Sequence, residues 1–272
     1  MTIMVDSDTC TRCGICSTVC VMAIITQPDD LSLPRIPEEK TPMCISCGQC
    51  EAFCQTGALI REENQNLNQE SAWDGKGLSP ALLSTYIKSR RSIRNYRSEP
   101  VDKETIESIL DIARYAASGG NRQPVEWLVI MNSEEVRKIA VLTINWIRTL
   151  VGTPHPMSGY VPRLISSWES GIDVVFRGAP HLLVAHIPED NPLAPVDGII
   201  ALTHVDIAAP LFGVGTCWAG FASIAAASHL PVQKAYGLPD GRIPAYIMMF
   251  GYPKYTAATI PARKPLTITW KE

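Results

Sequence analysis

At 272 residues, 46% hydrophobic and 19% charged, the chain has room for one large domain or two smaller ones and is too apolar for a disordered class. Its net charge of −3 offers no basic stripe of the kind nucleic acid demands, so no nucleic-acid partner is expected. The charge is uneven: residues 1–62 carry 4 basic and 8 acidic side chains, and the remainder 20 and 19.

The opening "MTIMVDSDTC" shows no basic leader followed by an apolar run, which predicts a cytoplasmic protein. Two near-copies follow, "CTRCGICSTVC" at 10–20 and "CISCGQCEAFC" at 44–54, each with cysteines at offsets 0, 3, 6 and 10. A disulfide framework would need an oxidising compartment. Structural zinc uses two cysteine pairs, and a further cysteine three residues on would be surplus to one tetrahedral ion. Iron–sulfur chemistry fits the spacing better: three thiols in a tight loop wrap three corners of a 4Fe–4S cubane, and the fourth, a helical turn further on, serves the other cluster. Cys10, Cys13, Cys16 and Cys54 would then hold one cluster, and Cys44, Cys47, Cys50 and Cys20 the second.

Residues 1–62 resemble the two-cluster bacterial ferredoxins in "CGIC", "CGQC", "VCVMAI" and "FCQTGAL". They depart from that family where a proline normally follows the fourth cysteine. Val21 and Gln55 stand there, which bears on exposure and hence on cluster potential.

Residues 63–78 are polar, have no apolar period and read as a linker. Ser79 as N-cap and Pro80 at the first helical position then start a helix. A second helix is predicted over 102–117, with Ile106, Ile109, Leu110 and Ala113 on one face. "VEWLVIM" (125–131), "HLLVAHI" (181–187) and "AYIMMF" (245–250) read as strands, the last containing Met248 and Met249 and closed by the turn "GYP". A helix starts at Ser133, and another covers about 197–211, where Pro210 forces a kink or stop. The apolar run 198–227 contains His204 and Asp206, which suits a buried segment better than a membrane span. "PLTITW" (265–270) alternates like a strand but has no successor to pair with. Residues 79–272 therefore form an α+β domain.

No Rossmann, Walker, H-E-x-x-H or G-x-S-x-G pattern occurs; in "GVGTCWAG" (213–220) Trp218 stands where a third glycine would be needed. "RRSIRNY" (90–96) gathers Arg90, Arg91 and Arg94 around Ser92, a group able to take a phosphate. With "SGGNRQP" (118–124), "GVGTCWAG", "GYP" (251–253) and "ARKPL" (262–266) in that order, residues 79–272 resemble the FMN-dependent nitroreductase family.

That resemblance implies a central, mainly antiparallel sheet flanked by helices, in an intertwined homodimer. Arg90, Arg91, Ser92 and Arg94 would bind the FMN phosphate and ribityl chain, joined by Arg263 and Lys264. Ser118 and Asn121 would reach the flavin of the partner subunit. Trp218, Ala219 and Gly220 would lie at the isoalloxazine, the last two offering backbone groups. "PLTITW" would add to the partner's sheet. The insertion at 143–176 is either an ordinary surface loop or, as in that family, a lid over the flavin, in which His155, Tyr160 and Trp168 could touch substrate. The flavin itself carries the chemistry, so no side chain is assigned as catalytic. The thiol of Cys217 and the imidazoles of His181, His186, His204 and His229 read as core or surface groups rather than ligands.

The two resemblances together imply a two-domain oxidoreductase, 1–62 and 79–272. Electrons would pass from reduced ferredoxin or a similar donor, or from NAD(P)H, through the clusters and FMN to a nitroaromatic, quinone or similar acceptor in ping-pong turnover. The alternatives are a non-catalytic electron carrier or redox sensor, or a reductase of activated alkenes or halogenated aromatics.

Overall fold

The computed structural model describes residues 2–65 and 71–272. Residues 66–70, inside the expected linker, lie outside the described residues. The chain divides into two compact units: the first runs to Lys76 and takes in Gly120–Arg122, and the second holds Gly77–Gly119 and Gln123–Glu272.

In the first unit, β1 (Ile3–Val5) pairs antiparallel with β2 (Leu59–Arg61), joining the two ends of the segment with Met4 opposite Ile60. Between them lie two short helices, α1 (Ile15–Val19) and α2 (Gln49–Ala52), each starting inside a cysteine run. The two runs bend alike. Arg12 and Ser46 have φ of 58° and 54°, and Gly14 and Gly48 have φ of 73° and 74°. Glycine takes this left-handed form without a Cβ clash, which is why both runs read C-G-x-C. The buried apolar residues among those described in this segment are Ile24, Ile25, Pro34, Ala58 and Leu59.

The second unit opens with α3 (Pro80–Ser89), whose N-cap Ser79 accepts from the Leu82 amide at 3.1 Å, and α4 (Lys103–Ala113), capped by Asp102. Then come β3 (Glu126–Ile130), α5 (Ser133–Thr149), α6 (Val161–Glu169) and β4 (His181–Pro188). The α5 cap is Asn132, one residue before the predicted start, its side chain accepting from the Glu134 amide at 2.8 Å. Next are α7 (Ala194–Ala208), β5 (Gly215–Trp218), α8 (Gly220–Ser228), α9 (Leu230–Lys234) and β6 (Arg242–Gly251). A 3-10 turn, Ala209–Phe212, follows α7 because Pro210 cannot continue the helix.

The sheet is fully antiparallel, in the order β3-β4-β6-β5. Successive strand residues face opposite sides, and both sides here are covered. On one face Leu182, Val184, Ile247 and Met249 pack with α5, α6, α8 and α9. On the other Leu183, Ala185, Met248 and Phe250 pack with α4 and α7. That double burial explains why β4 and β6 read as apolar runs. Ala194–Phe212 has the length and composition of a membrane span. Here it is the helix packed on β4 and β6.

Two sequence readings change. "GTCW", to which the sequence assigns no element, is a strand, β5; its neighbour β6 supplies the ladder that the segment lacks in isolation. "PLTITW" forms no strand in the single chain: residues 256–272 carry no helix or strand and are exposed.

His181, 1% exposed, takes the Val101 amide on Nε2 at 3.0 Å and places Nδ1 3.0 Å from the Met131 carbonyl. Burial holds its pKa below the ordinary 6.5, as it does for His186. A depressed folded-state pKa contributes stability that is present above the unfolded value and lost as pH falls through it. The unfolding midpoint of the second unit is therefore expected to fall between pH 7 and pH 5, with a shallower fall in His181→Gln; equal slopes in urea titrations of the two proteins would refute this.

Candidate functional site

Each four-thiol set lines a cavity of its own. Cys20, Cys44, Cys47 and Cys50 line one, with Ile24, Ile25 and Arg61; Cys10, Cys13, Cys16 and Cys54 line the other, with Gln27, Pro34 and Leu59. Each cavity thus takes three thiols from one run and a fourth from the other. None of the eight is in a disulfide. Among the described residues no group of three His, Cys, Asp or Glu side chains could hold a single ion. Thiols spread around a cavity wall suit a body with several corners better than one tetrahedral metal.

Burial raises the thiol pKa of Cys16 and pushes that of Cys50 up to about 11. Loading a metal must therefore displace protons from these sulfurs. Beside the Cys44 loop, Arg61 donates from Nη1 to the Ser46 carbonyl at 2.8 Å and from Nε to Glu51 at 3.0 Å, closing the loop onto β2. Asn121 belongs to this first unit, and its Nδ2 donates to the Ile45 and Ser46 carbonyls at 3.2 and 2.9 Å.

In the second unit, a cavity is lined by Arg90, Arg91 and Arg97, the hydroxyl residues Tyr86, Ser89, Thr216, Tyr255 and Thr256, and the segment Gly213–Gly215. Of the predicted phosphate-binding set, Arg90 and Arg91 line it. Ser92 and Arg94 lie outside that lining, near Cys217, whose buried thiol is raised by desolvation and offset by the Arg94 charge and a Ser92 contact. Arg97 was missed: it stands beyond the "RRSIRNY" cluster, and only its fold-back, with Nε on the Pro253 carbonyl at 3.1 Å, brings it to the cavity.

Gly215 is required here by close approach. A Cβ there would stand 2.6 Å from Ile93 Cγ1 and 2.9 Å from Pro253 Cγ. Without it the Ile93 amide reaches the Thr216 carbonyl at 2.9 Å, laying the arginine segment against β5.

Trp218 closes β5, its Nε1 donating to Asp206 at 3.2 Å and its ring edge-on to Tyr246. The Ala219 amide, expected to face the flavin, instead donates to the Ile247 carbonyl at 2.9 Å. Gly220 is the first residue of α8, so its N–H is among the donors a helix leaves unpaired at its start.

Ser118 accepts the Gln123 amide at 2.9 Å, and the Gly119 amide donates to buried Asp197 at 3.0 Å, anchoring that loop to α7. Arg263 and Lys264 are exposed in the tail and line neither cavity type. In the 143–176 segment, His155 takes the Met157 amide and meets Trp146 edge-on, while the Arg137 guanidinium covers Trp168 at 4.1 Å. Tyr160 is 67% exposed. None of the three lines the arginine cavity.

A curated relative from Methanothermobacter thermautotrophicus, named "Putative NADH dehydrogenase/NAD(P)H nitroreductase", is 26% identical over 192 residues, covering 68% of this chain and 84% of its own. A nitroreductase with bound FMN from Desulfitobacterium hafniense superposes with a TM-score of 0.57 at 26% identity, over 70% of this chain and 98% of that one. A Bacteroides fragilis nitroreductase with bound FMN shares the fold, with a TM-score of 0.58 at 19% identity, over 70% and 98% of the two chains.

Substitutions test the thiol exchange. Cys20→Ser is expected to abolish the same iron–sulfur electron paramagnetic resonance component as Cys47→Ser, and Cys54→Ser the same one as Cys10→Ser. If Cys20→Ser instead matched Cys10→Ser, each run would hold its own cluster.

The pattern of a 4Fe–4S dicluster domain matches residues 9–59 and that of the nitroreductase family residues 87–252; with the thiol cavities in the first stretch and the arginine-lined sheet edge in the second, the chain belongs to the nitroreductase family and carries a dicluster domain ahead of it.

Proposed function

We propose that this protein is an FMN-dependent oxidoreductase that takes in electrons through two 4Fe–4S clusters and reduces a small organic acceptor, a nitroaromatic, quinone or similar compound, by ping-pong turnover. The observation that carries the reading is the pair of four-thiol cavities on a chain of the nitroreductase family. Bound FMN would supply the redox chemistry, exchanging electrons singly with the clusters and singly or in pairs with the acceptor.

The protein's own residues bind and orient. The guanidinium groups of Arg90, Arg91 and Arg97 suit a phosphate dianion, while the hydroxyl protons of Ser89 and Thr216 at the same cavity are given to the Thr85 carbonyl and to Asp206. The Gly220 N–H is a fixed dipole of the kind that stabilises negative charge on a reduced ring, and Trp218 is held beside it. Apolar walls around the thiols, Ile24 and Ile25 at one cavity and Pro34 and Leu59 at the other, limit water at the sulfurs.

The donor is reduced ferredoxin or NAD(P)H; the names of the relatives favour the nicotinamide. A homodimer is supported by exposed apolar side chains within the second unit: Leu82, Leu83 and Ile87 on α3, Val196 and Ile199 on α7, and Leu266, Ile268 and Trp270 in the tail. The tail would pair with the partner's sheet, and the exposed Tyr160 would meet substrate.

Anaerobic purification is expected to yield about eight irons and about one FMN per chain. Steady reduction of a nitroaromatic or quinone by dithionite or NADPH would separate the enzyme from a carrier; full cofactor loading with no turnover of any acceptor would refute catalysis. Arg97→Ala is expected to weaken FMN by roughly tenfold, the loss of one charge-assisted hydrogen bond, and to leave riboflavin binding unchanged.

A further inference from the structure

Asp206 lies in the last turns of α7 and is 6% exposed. A carboxylate buried this far is tolerated only when ionic and hydrogen-bonding partners surround it. Its partners come from two distant segments. The Arg90 guanidinium stands 3.2 Å from Oδ2 and donates to Oδ1 at 3.3 Å. The Thr216 hydroxyl also donates to Oδ1, and the Trp218 indole donates to Oδ2 at 3.2 Å. Tyr86, on α3, donates to the carbonyl of the next residue, Ile207.

One carboxylate therefore binds a cation that lines the arginine cavity, a hydroxyl that lines the same cavity, and the aromatic residue that ends β5. An ordinary buried ion pair would neutralise Arg90 and stop there. This one keeps Arg90 on both oxygens and still accepts the Thr216 hydroxyl on Oδ1 and the Trp218 indole on Oδ2. Arginine and tryptophan each have several rotamers open to them, so a shared anchor removes freedom at both ends at once.

We propose that Asp206 is the positioning residue of the flavin site, setting Arg90 at the phosphate end and Trp218 at the ring end. The proposal rests on the flavin reading above. Asp206→Asn keeps the size but loses the charge, and it turns an amide donor toward donors. It is expected to release both ends.

Titrating full-length protein with FMN and with riboflavin separates the ends, because riboflavin lacks the phosphate. Arg90→Ala should weaken FMN by roughly tenfold or more and leave riboflavin within about twofold. Trp218→Phe should weaken both ligands by the same factor. Asp206→Asn should do both: lose most of the preference for FMN and weaken riboflavin by roughly tenfold. An Asp206→Asn protein that matches only one single variant, or is unchanged, overturns the proposal while the flavin reading stands. Wild-type protein that binds neither ligand overturns both. Should Asp206→Asn fail to fold, Thr216→Val removes one bond to the same carboxylate. It should shift both affinities in the same direction by a smaller factor, and no shift would overturn the proposal.

Discussion

The pairing of β6 with β4 on one side and β5 on the other is the constraint on which the second unit depends. β6 runs through the centre of the sheet, its residues alternating between two covered faces. Met248 and Met249 are both buried, on opposite sides. Because β6 is the strand that β5 pairs with, the position of Trp218 follows from the register Trp218↔Met248. A slip of one residue would turn Trp218 and Thr216 to the opposite face, away from Asp206.

Several buried polar groups of this unit serve as joints. His181 joins the loop before α4 to the end of β3. Arg242, at the start of β6, donates to His186 and to the Pro124 carbonyl and pairs with Glu126, tying three strands together. Helix α7 carries two buried carboxylates, Asp197 on the Gly119 amide and Asp206 on the Arg90 and β5 groups. Each bond of this kind adds only about 1 kcal/mol net, but an orphaned partner costs more, so the joints select one arrangement more than they stabilise it. The Gly198–Ala245 contact shows how close α7 lies: a Cβ on Gly198 would be 2.4 Å from that of Ala245.

The first unit depends on different forces. With so few buried apolar side chains, its hydrophobic core is small for its length. Its backbone is instead shaped by matched left-handed turns, the Arg61–Glu51 pair and the short β1–β2 ladder, and the two thiol cavities stand where a larger domain would have its core. Cluster ligation there is also folding energy.

Much of this was legible in the sequence because the signals were local. The cysteine spacing contained the grouping of Cys20 with the second run and of Cys54 with the first, the Ser79–Pro80 pair marked the start of α3, and the apolar runs marked β4 and β6. Asp206 was visible too, as an acid inside an apolar helix, and that alone is a signal of a buried partner. The residues that answer it, Arg90, Thr216 and Trp218, could not be named, because nothing in a linear chain says which segments a sheet will bring to one carboxylate. The same reason hid Arg97 in the cavity lining, the strand state of "GTCW", and the Ala219 amide given to Ile247. Thiol spacing, caps and hydrophobic period are set by neighbours a few residues away, so the sequence by itself determined the pattern of the two thiol runs and most of the elements. Long-range pairing of β6 and the burial of α7 decided which cations, hydroxyls and amides share a site, because those contacts exist only once the sheet has closed.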